Sequence, residues 1–276
     1  MDTLVTPEWL AAHLDTVQVV DATTFLPGTP RDAEAEFRAA HLPGAVRLDI
    51  GTFADPDAAA PHMLSPPALA SQMLEALGLH RDRSIVVYDD SPLRTSARVW
   101  FTLRHYGARD VAVLDGGLAR WKAGGHPLES GAPSPVPGHW PVAERTRPIV
   151  TKAMLLEEAA PPVVDARAYN RFMGEAKEPR EGTESGHIPG ARSLPFGELY
   201  ADDGTMKRGA DLEAAFAARG VDPHAPFTAS CGSGVTACSS LLAAHLLGSD
   251  AGRLYDGSWS EWGADPDTPK EQGPPA

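Results

Sequence analysis

An α/β protein built from two copies of one domain is predicted, each copy an open, mainly parallel sheet with helices on both faces. Three observations carry this expectation. The chain has 276 residues, more than one domain usually holds, so two domains of roughly 130 residues are expected. Four pieces recur in the same order: VTPEWLAAH at 5 and VTKAMLLEE at 150, VVDATTF at 19 and VVDARAY at 163, HLPGA at 41 and HIPGA at 187, VLDGGLARW at 113 and LYDGSWSEW at 254. Near-constant spacing between ordered pairs marks a duplication. Within each copy, short apolar runs alternate with helical stretches, the pattern of right-handed strand–helix–strand crossovers.

Taken in chain order, Thr6 followed by Pro7, and Thr151, read as N-caps of helices that precede the strands around VQVVDA and PPVVDA. SIVVYDD (84–90) and PFTASC (226–231) are the next short buried strands, the second ending on Cys231. Each leads into a helix, RTSARVWFTLRHYG or TACSSLLAAHLLG, and then into a further strand, DVAVLDGG or GRLYDG. The division expected is residues 1–126, a linker over 127–148 and residues 149–276. Six prolines and few periodic apolar residues make 127–148 read as extended and solvated. The tail after Gly263 reads as frayed.

Composition narrows the partners. Hydrophobic residues make up 42 % of the chain, enough for two cores, and the net charge is −13. That charge argues against nucleic acid and anionic membranes, and a small anionic substrate would need a local cationic pocket. No run approaches a membrane span, and the amino terminus lacks a signal-peptide pattern. Two cysteines, Cys231 and Cys238, can neither staple the chain nor form a four-ligand zinc site, and a cytoplasmic setting with reduced thiols is expected.

Chemistry concentrates in SCGSGVTACSS (230–240). Gly232, Ser233, Gly234, Val235 and Thr236 form a small-residue turn between a strand's carboxyl end and a helix's amino end, where ligands bind in open parallel sheets. Successive N–H groups can converge there with the helix dipole, an anion cradle suited to a thiolate or to a persulfide, Cys–S–S⁻. The residues alone leave two readings of Cys231, a nucleophile or a buried inert thiol. Cys238 falls in an apolar helical run and reads as core. Cysteine phosphatases clamp phosphate with an arginine six positions after the nucleophile, and residue 237 is Ala. No GxxxxGK[ST] phosphate loop is present.

At this point FRAAHLPGAVRL (37–48), LYDGSWSEW (254–262) and CGSGVTA (231–237) resemble the two-domain sulfurtransferases built from tandem rhodanese domains, over nearly the whole chain. The loop is similar to the 3-mercaptopyruvate branch of that family, whereas thiosulfate-preferring members have basic residues just after the cysteine. The resemblance implies two tandem rhodanese-like domains, a Cys231 persulfide and no cofactor or metal. It implies Arg171 and Arg180, in YNRFMGEAKEPREG (169–182), as the donor's carboxylate site, with Gly232, Gly234, Val235 and Thr236 lining the pocket. Ser233 and His62 match two members of a proton-handling triad; the acid is missing, because RLDIG places Gly51 where the family has a carboxylate, and Asp49 and Asp55 are only neighbours. His41 and His187 recur in both copies and read as structural. The 141-residue local offset sets Asp90 opposite Cys231, so the first domain reads as a non-catalytic partner.

The activity so implied is transfer of a sulfane sulfur from 3-mercaptopyruvate, docked between the domains, to cyanide, a small thiol or a thioredoxin-like protein, with release of pyruvate. Thiosulfate as the donor is the first alternative, and a non-catalytic persulfide carrier or regulatory binding module is the second.

Overall fold

The structure, a computed structural model, is described for residues 1–142 and 147–275. Two compact units emerge from it: Met1–Ala54, Leu64–Arg147 and Asp202–Thr205 form one, and Asp55–Met63, Pro148–Ala201 and Met206–Ala276 the other. Division at the linker alone misplaces two short segments, 55–63 and 202–205, since each clusters with the other unit.

In the first unit the strands are β1 (Leu4–Val5), β2 (Gln18–Asp21), β3 (Val46–Arg47), β4 (Ile85–Tyr88) and β5 (Val111–Leu114), and the helices are α1 (Pro7–Ala11), α2 (Ala33–Ala39), α3 (Pro67–Ala76), α4 (Thr95–His105) and α5 (Gly117–Ala123). The sheet is parallel throughout, in the order β1-β5-β4-β2-β3. The second unit repeats it with β6 (Ile149–Val150), β7 (Val163–Asp165), β8 (Arg192–Ser193), β9 (Phe227–Ser230) and β10 (Gly252–Tyr255), in the order β6-β10-β9-β7-β8. Its helices are α6 (Lys152–Leu156), α7 (Tyr169–Phe172), α8 (Gly209–Ala217), α9 (Ala237–Leu246) and α10 (Ser258–Trp262).

Residues β4 and β9 are buried at every position, as expected of central parallel strands covered on both faces. Val19, Val86, Tyr88, Ala112 and Leu114 share one core with α1, α2 and α5 through Leu10, Phe37 and Trp121. The alternate residues Val20, Ile85 and Val87 point the other way and are equally covered. Phe172, Tyr255, Trp259 and Trp262 build the matching core of the second unit. Thr6 and Thr151 cap α1 and α6, their hydroxyls accepting from the N–H of Trp9 and Met154.

Two expectations are corrected by one feature that recurs in both units. The tail after Gly263 is docked, not frayed. Glu271 exchanges backbone hydrogen bonds with His187 at 2.8 and 3.0 Å, its carboxylate accepts from Gly190 N–H, and Trp262 Nε1 donates to Pro269 O at 2.8 Å. In the first unit Glu129 makes the same exchange with His41, its carboxylate accepts from Gly44 N–H, and Trp121 Nε1 donates to Pro127 O. The start of the presumed linker is therefore a strap of the first unit. Further along, Trp140 is buried and donates to Tyr106 O at 3.0 Å. Residues 143–146 of that linker lie outside the described residues. His41 and His187 stack on Phe37 and Phe172 and bond the carbonyls of those same residues through Nδ1, a structural role in both units.

Candidate active site

Strand β9 ends at Ser230, so Cys231 is the first residue beyond it rather than its last. The thiol is 1 % exposed, and residues 232–236 carry the chain into α9. The beginning of α10 grips this loop. Trp259 N–H donates to Cys231 O at 3.0 Å, and Ser260 donates to Gly232 O from both N–H and hydroxyl, at 2.8 and 2.6 Å. Ser258 Oγ accepts the N–H groups of Cys231 (3.1 Å) and Gly234 (3.0 Å) while donating to Tyr255 O (2.8 Å). It does so from the left-handed region, φ 51°, where a side chain carries a strain of about 1 kcal/mol or more. Gly234, at φ 71°, turns the loop, and Cys238 Sγ donates to its carbonyl at 3.3 Å from the core of α9.

The remaining loop amides, those of Gly232, Ser233, Val235 and Thr236, donate to no acceptor among the described residues. Polar groups so placed beside a covered thiol form a site for an anion.

The sheet register corrects the first unit's counterpart of Cys231. Asp21 pairs with Tyr88 as Asp165 pairs with Ser230, and Val113 pairs with Val87 as Leu254 pairs with Ala229. Leu118 N–H bonds Asp89 O at 3.0 Å as Trp259 N–H bonds Cys231 O. Asp89 rather than Asp90 therefore stands opposite the cysteine. Its carboxylate accepts from the N–H groups of Ser91 (3.1 Å) and Ser96 (2.6 Å), so this loop carries its own anion. Burial pushes the Asp89 carboxyl above its ordinary range, opposed by those hydrogen bonds. Asp90 is paired instead with Arg31 at 2.7 Å.

Beside the cysteine loop the structure places His62 and Arg171, both within the second unit, and Arg180 lies near enough to Arg171 for the two charges to interact. His62, left-handed at φ 64°, comes from the 55–63 segment, and its Nδ1 lies 3.0 Å from Ser233 Oγ. Arg171 stands on α7 with Nη2 close enough that a Cβ on Gly232 would approach it to 3.2 Å. Arg180 has no hydrogen-bond or ion-pair partner among the described residues, and burial together with the Arg171 charge lowers its pKa. Two like charges close enough to repel favour an anion between them. Of the two candidate acids, Asp49 accepts from Gly51 N–H and lies 3.3 Å from Arg47, and Asp55 accepts from Asp57 N–H.

Sequence reasoning missed Ser258, Arg167 and the part played by Glu178. Arg167 is fully buried over the Trp259 ring (4.5 Å), bonded to Asp165 (2.6 Å) and to Glu178 (2.8 Å), and Glu178 in turn bonds Arg171. The signal for Ser258 was present in the repeat: Gly117 holds the same place at φ 58°, so a serine there keeps a glycine conformation for the sake of its hydroxyl. Among the described residues no group of three or more His, Cys, Asp or Glu could hold a metal ion. No helix there is long and apolar enough to cross a membrane.

The sequence profile of the Rhodanese-like domain matches residues 6–124 and again 150–265, and the chain belongs to that family. More particularly, it is 39 % identical over 270 residues to a 3-mercaptopyruvate sulfurtransferase of Escherichia coli, covering 96 % of each chain. It is 36 % identical over 284 residues to a thiosulfate sulfurtransferase of Cricetulus griseus, covering 98 % of this chain and 95 % of that one. The crystal structure of a 3-mercaptopyruvate sulfotransferase from Escherichia coli superposes with a TM-score of 0.85 at 37 % identity, over 95 % of this chain and all of the other.

Proposed function

We propose that the chain is a sulfurtransferase that moves a sulfane sulfur from 3-mercaptopyruvate to a thiol or cyanide acceptor through a persulfide on Cys231. One observation carries the reading: a covered thiol, four amides with no acceptor among the described residues and the Arg171 guanidinium meet at one loop, with the charge of Arg180 close to that of Arg171.

The donor's carboxylate lies on Arg171 and Arg180, which brings its sulfur to Cys231. The thiolate attacks that sulfur, a sulfur–sulfur bond forms, and the carbon–sulfur electron pair passes into the adjacent carbonyl as pyruvate enolate. The proton of the donor thiol ends on the enolate carbon, relayed through the Ser233–His62 contact. The persulfide anion is held by the N–H groups of Gly232, Ser233, Val235 and Thr236. An acceptor nucleophile then takes the outer sulfur and restores the thiolate, an exchange between sulfurs that runs without redox cofactor or metal. Ser233 and His62 are the proton-handling pair in this scheme. The first unit, whose cradle is filled by Asp89, serves as the non-catalytic partner. Cyanide, a small thiol and a thioredoxin-like protein are the acceptor classes. Two free thiols, Cys231 and Cys238, suit a reducing cytoplasm.

Thiosulfate is the competing donor, favoured by the 36 % identity to a thiosulfate sulfurtransferase. Steady-state kcat/KM with cyanide as acceptor separates the two, and mercaptopyruvate is expected to be the better donor. Equal or better use of thiosulfate replaces the donor assignment. Loss of turnover in Cys231→Ser is expected; an unmutated protein inactive with both donors would instead be a persulfide carrier or binding module.

A further inference from the structure

The arginine cluster beside the cysteine loop carries its own counter-ion. Asp165 and Glu178, each with a 3 % exposed side chain, bracket the fully buried Arg167, and Glu178 reaches on to Arg171, whose side chain is 25 % exposed. The contacts are close: Arg167 Nε lies 3.1 and 3.0 Å from the two Asp165 oxygens, Arg167 Nη1 lies 2.8 Å from Glu178 Oε1, and Arg171 Nε lies 3.3 Å from the same oxygen. Arg167 also donates to Gly186 O at 2.7 Å, so the chain of charges is fixed to the backbone. Only Arg180 stands outside it. Two carboxylates against three guanidiniums leave one positive charge where the donor's anionic group binds.

We propose that Glu178 sets the charge of the sulfur donor: by neutralising Arg171 it leaves a site of one net positive charge, which favours a monoanionic 2-oxo acid over dianionic thiosulfate. This rests on the reading of Arg171 and Arg180 as the donor's anion site. The argument is electrostatic. A change of one unit in the site's charge changes the attraction for a dianion by twice as much as for a monoanion. In a half-buried site that difference amounts to about tenfold in relative kcat/KM, after allowance for screening. Glu178 is thus a specificity-determining residue that works through Arg171 without touching the donor.

The test compares kcat/KM for 3-mercaptopyruvate and for thiosulfate, with cyanide as acceptor, in the unmutated protein, Glu178→Gln and Arg180→Gln. Glutamine keeps the shape of Glu178 and can still accept from an arginine. In Glu178→Gln the ratio of thiosulfate to mercaptopyruvate efficiency should rise by about tenfold. In Arg180→Gln it should fall by a similar factor. Arg180 leaves no buried carboxylate behind when removed, so this second variant decides the matter if Glu178→Gln does not fold. A purely structural role for Glu178 would lower both efficiencies alike; an unchanged ratio in a folded Glu178→Gln, or equal losses for both donors in Arg180→Gln, overturns the inference. An unmutated protein inactive with both donors overturns the sulfur-transfer reading itself, and the inference with it.

Discussion

Ser258 accepts two buried main-chain N–H groups of the cysteine loop, at 3.1 and 3.0 Å, and its removal tests how that loop is held. Ser258→Ala deletes the acceptor without relieving the left-handed backbone, and each buried donor left unpaired costs about 1–3 kcal/mol. The sum is about 2–6 kcal/mol, which for a unit of this size lowers Tm by roughly 6–18 °C. Ser258→Gly loses the same acceptor but relaxes φ 51°, recovering about 1 kcal/mol. Glycine should therefore be the milder change, as the natural Gly117 in the first unit suggests. Differential scanning calorimetry of both variants, together with the rate of persulfide formation, reads the effect. An alanine variant within about 2 °C of the parent, or a glycine variant less stable than the alanine one, refutes the assignment of Ser258 as the loop's clamp.

Three further outcomes are expected. Arg171→Ala should mainly raise KM for mercaptopyruvate, because it removes a ground-state contact to the carboxylate; an unchanged KM places that group elsewhere. Deleting residues 264–276 removes the Glu271 exchange with His187 and the Pro269 acceptor of Trp262, so the truncated protein should lose cooperative unfolding of the second unit, and an unaltered melting curve contradicts the strap. The Asp89 carboxyl is raised by burial, so its contribution to stability is present below the ordinary aspartate range and lost as pH rises through the raised value. Asp89→Asn, neutral throughout, should accordingly gain on the parent as pH rises above the ordinary aspartate range; a constant difference in Tm would contradict this.

The strands and their caps could be read directly because their physics is local. Residues 85–88 and 227–230 are short apolar runs covered on both faces, and Thr6 and Thr151 precede helices with hydroxyls ready to cap them. The duplication could be read because matched motifs kept their order. The straps escaped notice because Pro127, Glu129, Pro269 and Glu271 act through backbone pairing and single carboxylate bonds, with almost no apolar pattern to betray them. Asp89 was displaced by one residue because the repeat offset drifts along the chain, and only sheet pairing fixes it at the strand end. At the site, Cys231 and its small-residue loop followed from chemistry, whereas His62, Arg171 and Arg180 came from family likeness. The 171 residues that separate His62 from Ser233 lie beyond any local signal. Arg167 and Glu178 look like ordinary charges in sequence, and their importance comes from burial alone.

Intact-mass analysis before and after addition of 3-mercaptopyruvate, without acceptor, followed by peptide mapping, tests most directly whether this loop carries transferable sulfur. The account predicts a gain of one sulfur atom on the peptide bearing Cys231, reversed by cyanide and absent in Cys231→Ser. No gain, or a gain on Cys238 instead, would contradict it.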